Sequence, residues 1–188
     1  MSILWSSSLL KELVNANSNH EWEASGIEID SRKIKKGDLF CALNGVNHNG
    51  HDYVNSAFEK GATACLVSEN LQNTKNIALA KVDDVLDALE KMAKNARVRS
   101  KAKFIAITGS VGKTGTKDMM QLALSKIANT YSNESSYNNF LGVPLSLARV
   151  PPNINFCVLE LGMNKKGEIR KLVKLVKPEV AVLTAIEK

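Results

Sequence analysis

Phe104-Ile105-Ala106-Ile107-Thr108-Gly109-Ser110-Val111-Gly112-Lys113-Thr114 is the stretch whose reading decides the fold. An apolar run gives way to a glycine-bounded loop that closes on Lys-Thr. Behind it, Met120, Ala123, Leu124 and Ile127 recur at helical spacing. Buried strand, tight turn, then helix is the order in which a chain builds a phosphate cradle. The glycines let backbone N–H groups converge on an anion, and the helix turns its positive N-terminal end to the same spot. Lys113 then supplies a point charge for the outer phosphates, and the Thr114 hydroxyl a ligand for Mg²⁺. The general pattern G-x-x-x-x-G-K-[ST] is not met, because Ile107 stands five residues before Gly112 where that pattern has glycine. A glycine-rich turn with an incidental lysine is the competing reading. The strand before the loop and the helix after it favour a nucleotide phosphate site.

Working outward, the same alternation recurs. Leu9, Leu10, Leu13 and Val14 predict a short helix that the Ser6-Ser7-Ser8 cluster can cap. Strand-like runs follow at residues 26–30, 38–43, 63–67 and 77–82. Between the second and third, Val54, Ala57 and Phe58 predict a helix ended by Gly61. Asp83 reads as the cap of a helix striped by Val85, Leu86, Leu89, Met92, Ala93 and Ala96. The basic stretch 97–103 ends it and reads as a domain boundary. Beyond the loop come a helix to about residue 129, a strand at 130–132, a short helix near 144–149, a strand at 156–161, a helix at 167–177 and a strand at 180–184. The expected fold is α/β: a small N-terminal α/β domain (1–82), a connecting helix and linker (83–100), then an incomplete P-loop-type, mainly parallel βαβ domain (101–188). In such sheets ligands bind at the carboxyl ends of the strands.

The chain has 188 residues, 44% apolar and 23% charged, as an ordinary globular protein does. No apolar run reaches membrane-span length. The first residues lack the features of a signal peptide, so the cytoplasm is the expected compartment. Cys41, Cys65 and Cys157 each lie in an apolar strand-like run. Their odd number and unpaired spacing argue against a disulfide framework or zinc site and for buried thiols. The net charge of +6 comes with lysines spread along helix faces and little aromatic interleaving, which points to a solvated surface and not to a nucleic-acid groove.

Glu160 lies in Cys157-Val158-Leu159-Glu160-Leu161-Gly162-Met163-Asn164. A carboxylate in so apolar a strand is costly unless paired or metal-bound. It reads as an Mg²⁺ ligand opposite Thr114, on the strand edge that also carries the loop. The alternative is a strand-end carboxylate that reaches water or pairs with Lys113. Asn138 and Asn139, before Gly142-Val143-Pro144, read most simply as turn formers, though they follow a strand and could face the same edge.

Together these segments resemble the Mur ligase family in order and spacing. They are the loop 108–114, Asn138-Asn139-x-x-Gly142-Val143-Pro144-Leu145, and Glu160-Leu161-Gly162-x-Asn164-x-x-Gly167-Glu168-Ile169. Asp30-Ser31-Arg32, Gly37-Asp38-Leu39-Phe40-Cys41-Ala42-Leu43-Asn44-Gly45 and Gly50-His51-Asp52-Tyr53 resemble the family's UDP-sugar-binding N-terminal domain. The resemblance implies an ATP-dependent amide ligase of bacterial peptidoglycan synthesis. The sequence after Glu160 resembles the form that joins D-alanyl-D-alanine to UDP-N-acetylmuramoyl-tripeptide through an acyl phosphate. Implied with it are ATP and Mg²⁺ as cofactors and a monomer that engages neither nucleic acid nor membrane. Carried over by position, Gly109, Ser110, Val111, Gly112, Lys113, Thr114 and Gly115 bind the ATP phosphates, Lys113 and Glu160 are catalytic, and Thr114 and Glu160 hold the metal. Ser31, Arg32, Asn138 and Asn139 lie near substrate.

Two departures from the family's pattern stand out. Gly115 replaces a hydroxyl residue and loosens the helix's first turn by about 1 kcal/mol relative to alanine. Val111 stands where a polar residue is usual. His51 beside Asp52 reads as a surface imidazole without a catalytic role. The family's members continue well past this stretch, so the 188 residues are expected to be an N-terminal fragment without turnover of its own. A folylpolyglutamate-type or preceding Mur ligase is the near alternative, and a non-catalytic nucleotide or UDP-sugar module the distant one.

Overall fold

The computed structural model describes residues 2–45, 48–72, 74, 76–134 and 137–186. It divides into two compact units, Met1–Met92 and Ala93–Lys188.

The first unit opens with β1 (Trp5–Ser6), α1 (Ser7–Val14), β2 (Asn17–Ser18), β3 (Glu23–Ala24), β4 (Gly26–Glu28) and β5 (Asp38–Cys41). A 3-10 turn at Gly50–Tyr53 leads into α2 (Val54–Glu59), β6 (Ala64–Val67) and β7 (Leu79–Lys81). α1 is capped as expected, the Ser6 side chain accepting from the Leu9 N–H. Gly61 ends the segment behind α2 with φ at +105°. The sheet runs β2-β7-β6-β5-β4, parallel except for the antiparallel β2–β7 pair. β1 and β3 form a separate antiparallel ribbon. β6 is buried at every residue, as a central parallel strand must be.

The helix α3 (Val85–Arg99) contains the division between the units. Its cap is Asp84 rather than Asp83, with Asp84 Oδ1 accepting from Asp87 N at 2.7 Å. The stretch 97–103 lies inside the second unit. Arg97 continues the helix, stacks 4.0 Å from the centroid of Phe104, and donates to the carbonyls of Val176 (2.7 Å) and Lys177 (2.8 Å). Those carbonyls belong to the end of a later helix, where a cation is favoured.

The second unit is β8 (Lys103–Thr108), α4 (Lys113–Ser125), β9 (Thr130–Ser132), α5 (Gly142–Ala148), β10 (Phe156–Glu160), α6 (Glu168–Val176) and β11 (Val180–Leu183). All pairings are parallel, in the order β11-β8-β10-β9. Alternate residues of the two central strands serve opposite faces. Phe104, Ala106, Cys157 and Leu159 pack with Val143, Leu147, Leu172 and Val176 of α5 and α6. Ile105, Ile107 and Val158 take Met120 and Leu124 of α4. Two covered faces are why these strands read as unbroken apolar runs.

α4 departs from its predicted stripe. Met120 and Leu124 face the sheet, but Ala123 is exposed and Ile127 is 76% exposed. The helix stops at Ser125, where Lys126 N bonds the Ala123 and Leu124 carbonyls, so Ile127 falls on the closing turn. All three cysteines are free and buried. Burial pushes the Cys65 thiol up to about 12, so it stays protonated. Among the described residues, no helix is long and apolar enough to cross a membrane.

Candidate functional site

The C-terminal ends of β8 and β10 lie side by side in the sheet, Ile107 opposite Glu160. Leu161 N donates to Ile107 O at 2.8 Å, and Thr108 Oγ1 to Leu161 O at 2.8 Å, tying the two exits together. The loop leaves β8 through Gly109 (φ +145°) and enters α4 through Gly112 (φ +82°). A side chain at Gly109 is impossible without rearrangement, because its Cβ would come within 2.0 Å of Thr184 Oγ1. Past Gly112, the first turn of α4 offers N–H groups that no intrahelical carbonyl can accept, with the positive end of the helix dipole behind them.

The chain after β11 clasps this loop. Thr184 Oγ1 donates to Val111 O (2.6 Å) or to Thr108 O (3.2 Å), and Ser110 N donates to Ala185 O at 2.7 Å. The Ser110 N–H is therefore committed to Ala185, which removes one donor that the sequence reading left to phosphate. Lys113 folds back on its own loop, Nζ donating to Gly109 O at 2.7 Å and Ser110 O at 3.1 Å. Neutral carbonyls satisfy that ammonium weakly, and an anion in the cradle would compete for it.

Glu160 is 2% exposed. Thr114 Oγ1 donates to its Oε2 at 2.7 Å, and Asn138 Nδ2 to its Oε1 at 2.8 Å. Both partners are neutral, and no ion pair among the described residues includes Glu160. Among the described residues the carboxylate oxygens meet only neutral donors, an oxygen-rich setting that a hard divalent cation can join. The Thr114 hydroxyl spends its proton on Glu160 and keeps its lone pairs. The expected pairing of Thr114 with Glu160 is thus present as geometry, and the two make an oxygen donor set of the type Mg²⁺ takes.

The adjacent asparagines separate. Asn138 reaches Glu160, and it does so over a glycine: a Cβ on Gly162 would sit 3.0 Å from the Asn138 amide. Asn139 turns away. Its Oδ1 accepts from Leu141 N (3.0 Å) and Gly142 N (2.9 Å), and its carbonyl from Val143 N, so it starts α5 as a turn former.

In the first unit, Arg32 closes a bidentate pair on Asp30, Nε to Oδ1 at 2.9 Å and one terminal nitrogen to Oδ2 at 2.8 Å. The hydrogen bond from Arg32 holds the Asp30 carboxyl at about 2, despite some opposing burial. Arg32 remains largely exposed, while Ser31 is buried and its carbonyl accepts from Lys60 Nζ at 3.2 Å. His51 is not a surface imidazole. It is buried, its Nε2 accepts from Ser68 N at 2.9 Å, and its Nδ1 faces Asn49 Oδ1 at 2.7 Å and Asn44 Oδ1 at 3.0 Å. The backbone donor at Nε2 fixes the proton on Nδ1.

Sequence reasoning missed Asn133 and Lys117. Asn133 sits one residue past β9 and bonds both main-chain groups of Glu160. Lys117 is buried on α4. A signal existed for the lysine, since it lies three residues before Met120 and seven before Leu124, on the inward face. Asn133 carried none.

Known proteins resemble both parts of the chain. Residues 23–110 match the Mur ligase family catalytic domain, and residues 107–188 the Mur ligase middle domain. The UDP-N-acetylmuramoyl-tripeptide–D-alanyl-D-alanine ligase of Rickettsia prowazekii is 39% identical over 98% of this chain and 41% of its own length. The Bacillus subtilis enzyme of the same name is 39% identical over 86% of the chain and 35% of its own length. Among solved structures, MurF from Acinetobacter baumannii superposes with a TM-score of 0.80 at 32% identity, covering 95% of this chain and 40% of that one. The MurF ligase of Thermotoga maritima in complex with ADP gives 0.69 at 28% identity, covering 85% and 37%. The chain therefore spans about two fifths of the relatives it matches.

Proposed function

The chain belongs to the Mur ligase family, and from that premise we propose that it carries the UDP-sugar-binding and ATP-phosphate-binding parts of an amide ligase that joins D-alanyl-D-alanine to UDP-N-acetylmuramoyl-tripeptide. One observation carries the reading: a buried carboxylate with no cationic partner among the described residues, bonded to the first-turn threonine of a glycine-bounded loop. The ADP complex of the Thermotoga maritima relative supports a nucleotide there.

The reaction makes an electrophile from a carboxylate. The substrate carboxylate attacks the γ-phosphorus of ATP, ADP leaves, and the amine of D-alanyl-D-alanine then displaces phosphate from the acyl phosphate. The protein's share is positioning and neutralisation of charge. Lys113 exchanges the Gly109 and Ser110 carbonyls for the outer phosphates. The first-turn N–H groups of α4 hold the inner ones. Thr114 and Glu160 would hold Mg²⁺, which would supply positive charge against the phosphates. Asn138 keeps the Glu160 carboxylate in one orientation. In the first unit, the exposed face of Arg32 beside Ser31 suits the pyrophosphate of a UDP-sugar.

Calorimetric titration with Mg²⁺ and ADP tests the phosphate site. Binding by the unaltered chain is expected to weaken on the order of 100-fold in Lys113→Ala, since a charge-assisted contact is removed. Equal heats for the two proteins would refute the assignment.

A further inference from the structure

Lys117 occupies a position on α4 that the helical pattern reserves for an apolar side chain. It is 3% exposed. Its Nζ donates to the Asn133 carbonyl at 2.8 Å and pairs with the outward-facing Asp118 carboxylate at 3.0 Å. A buried ammonium costs several kcal/mol unless its donors are used, whereas leucine would fill the same face without that cost. The contact that justifies the lysine is therefore its grip on Asn133.

Asn133, 1% exposed, uses both ends of its amide on a single residue of β10. Its Oδ1 accepts from Glu160 N at 2.8 Å, and its Nδ2 donates to Glu160 O at 3.1 Å and to Tyr137 O at 2.9 Å. The main-chain ladder between β9 and β10 ends at Ser132 opposite Val158. The Asn133 side chain thus imitates a further strand residue and continues the ladder to the residue that carries the carboxylate. β8 holds the other side, through Leu161 N on Ile107 O. Glu160 is pinned on both flanks.

We propose that Lys117 and Asn133 are positioning residues: the lysine sets Asn133, Asn133 fixes the main chain of Glu160, and the carboxylate is thereby aimed at Thr114 and the cation of the bound nucleotide. The proposal rests on the reading of Lys113, Thr114 and Glu160 as an Mg²⁺-nucleotide site. A purely structural role would hold α4 against β9 and leave the cation untouched.

The two roles part in the Mg²⁺ dependence of nucleotide affinity. ADP is titrated into the full 188-residue chain by calorimetry, once in EDTA and once in Mg²⁺. The proteins are the unaltered chain, Asn133→Ala, Lys117→Met, Glu160→Gln and the Asn133→Ala/Glu160→Gln double variant, with folding checked by circular dichroism. The unaltered chain is expected to gain affinity with Mg²⁺. Asn133→Ala and Lys117→Met keep their EDTA affinity within about twofold and lose about tenfold of the Mg²⁺ gain, as groups supporting metal ligands do. The double variant does no worse than Glu160→Gln, because Asn133 acts through Glu160. Full Mg²⁺ gain in either folded single variant, or losses that add in the double variant, overturns the positioning role and leaves the site reading intact. An unaltered chain without any Mg²⁺ gain overturns the site reading, and the proposal with it. Should Asn133→Ala fail to fold, Lys117→Met decides alone.

Discussion

Each unit buries an ionisable side chain where a core parallel strand ends, and the two are satisfied in opposite ways. His51 meets Ser68, the residue after β6, and both ring nitrogens find hydrogen-bond partners, with the Glu69 carboxylate 3.5 Å from Nδ1. Glu160, the last residue of β10, meets only the neutral donors Thr114 and Asn138, with no cationic partner among the described residues. The first arrangement is complete without a ligand. The second is the one we propose a cation completes. Burial alone does not separate structure from function here; the match between the charge of the group and the charge of its surroundings does.

The largest effect should come from neutralising the incomplete arrangement. Glu160→Gln keeps an acceptor for Thr114 and removes the buried charge. It is expected to lose most of the Mg²⁺ contribution to ADP affinity, on the order of 10- to 100-fold, while the ligand-free protein melts no lower than the unaltered chain. A marked drop in its melting temperature would mean that Glu160 is a structural partner like His51, and the contrast would fail.

The converse change belongs to the complete arrangement. His51→Ala strands the Ser68 N–H and should lower stability by about 2–3 kcal/mol in urea while ADP affinity is unchanged. The same residue gives the contrast a pH signature. Burial outweighs the nearby Glu69 and Asp52 carboxylates and lowers the His51 pKa below its ordinary 6.5. The unfolded chain then takes up a proton that the folded one refuses. His51's contribution is therefore fully present above pH 6.5 and is lost as the pH falls from 6.5 toward the folded-state value. The difference in urea midpoint between the unaltered chain and His51→Ala should narrow between pH 7.5 and 5.5. A constant difference would show that His51 does not titrate with unfolding.

The smallest effect sharpens the picture of the loop. A Cβ on Gly115 would meet nothing within 4 Å, so Gly115→Ala is expected to stabilise the first turn of α4 by up to about 1 kcal/mol in thermal melts. Destabilisation would reveal a crowding that the backbone at this position does not suggest.

Much of this was legible along the chain because it is local. The apolar run into Gly109, the helical stripe of α3, the caps and turn glycines, and the alternation of strand with helix each depend on neighbours a few residues away. Element ends moved by one to four residues, as when Asp84 replaced Asp83 at the cap and α4 closed at Ser125. The errors were of another kind. His51 beside Asp52 reads as solvent-facing, yet its partners come from residues 44, 49 and 68. Asn138 and Asn139 read as one unit, yet Asn138 bonds Glu160, 22 residues away, while Asn139 bonds Leu141 and Gly142 beside it. The clasp of Thr184 and Ala185 on the loop joins residues more than 70 positions apart.

By itself, then, the sequence determined that a phosphate-type loop leaves a buried strand and that an acidic residue closes a second one, since both follow from apolar pattern and glycine spacing. Only the tertiary structure decided that Glu160 lies bonded to Thr114 with no counter-charge among the described residues, and that Lys117 and Asn133 hold it there. Those contacts depend on which strands become neighbours, and strand order is set by packing over the whole unit, not by any local run of residues.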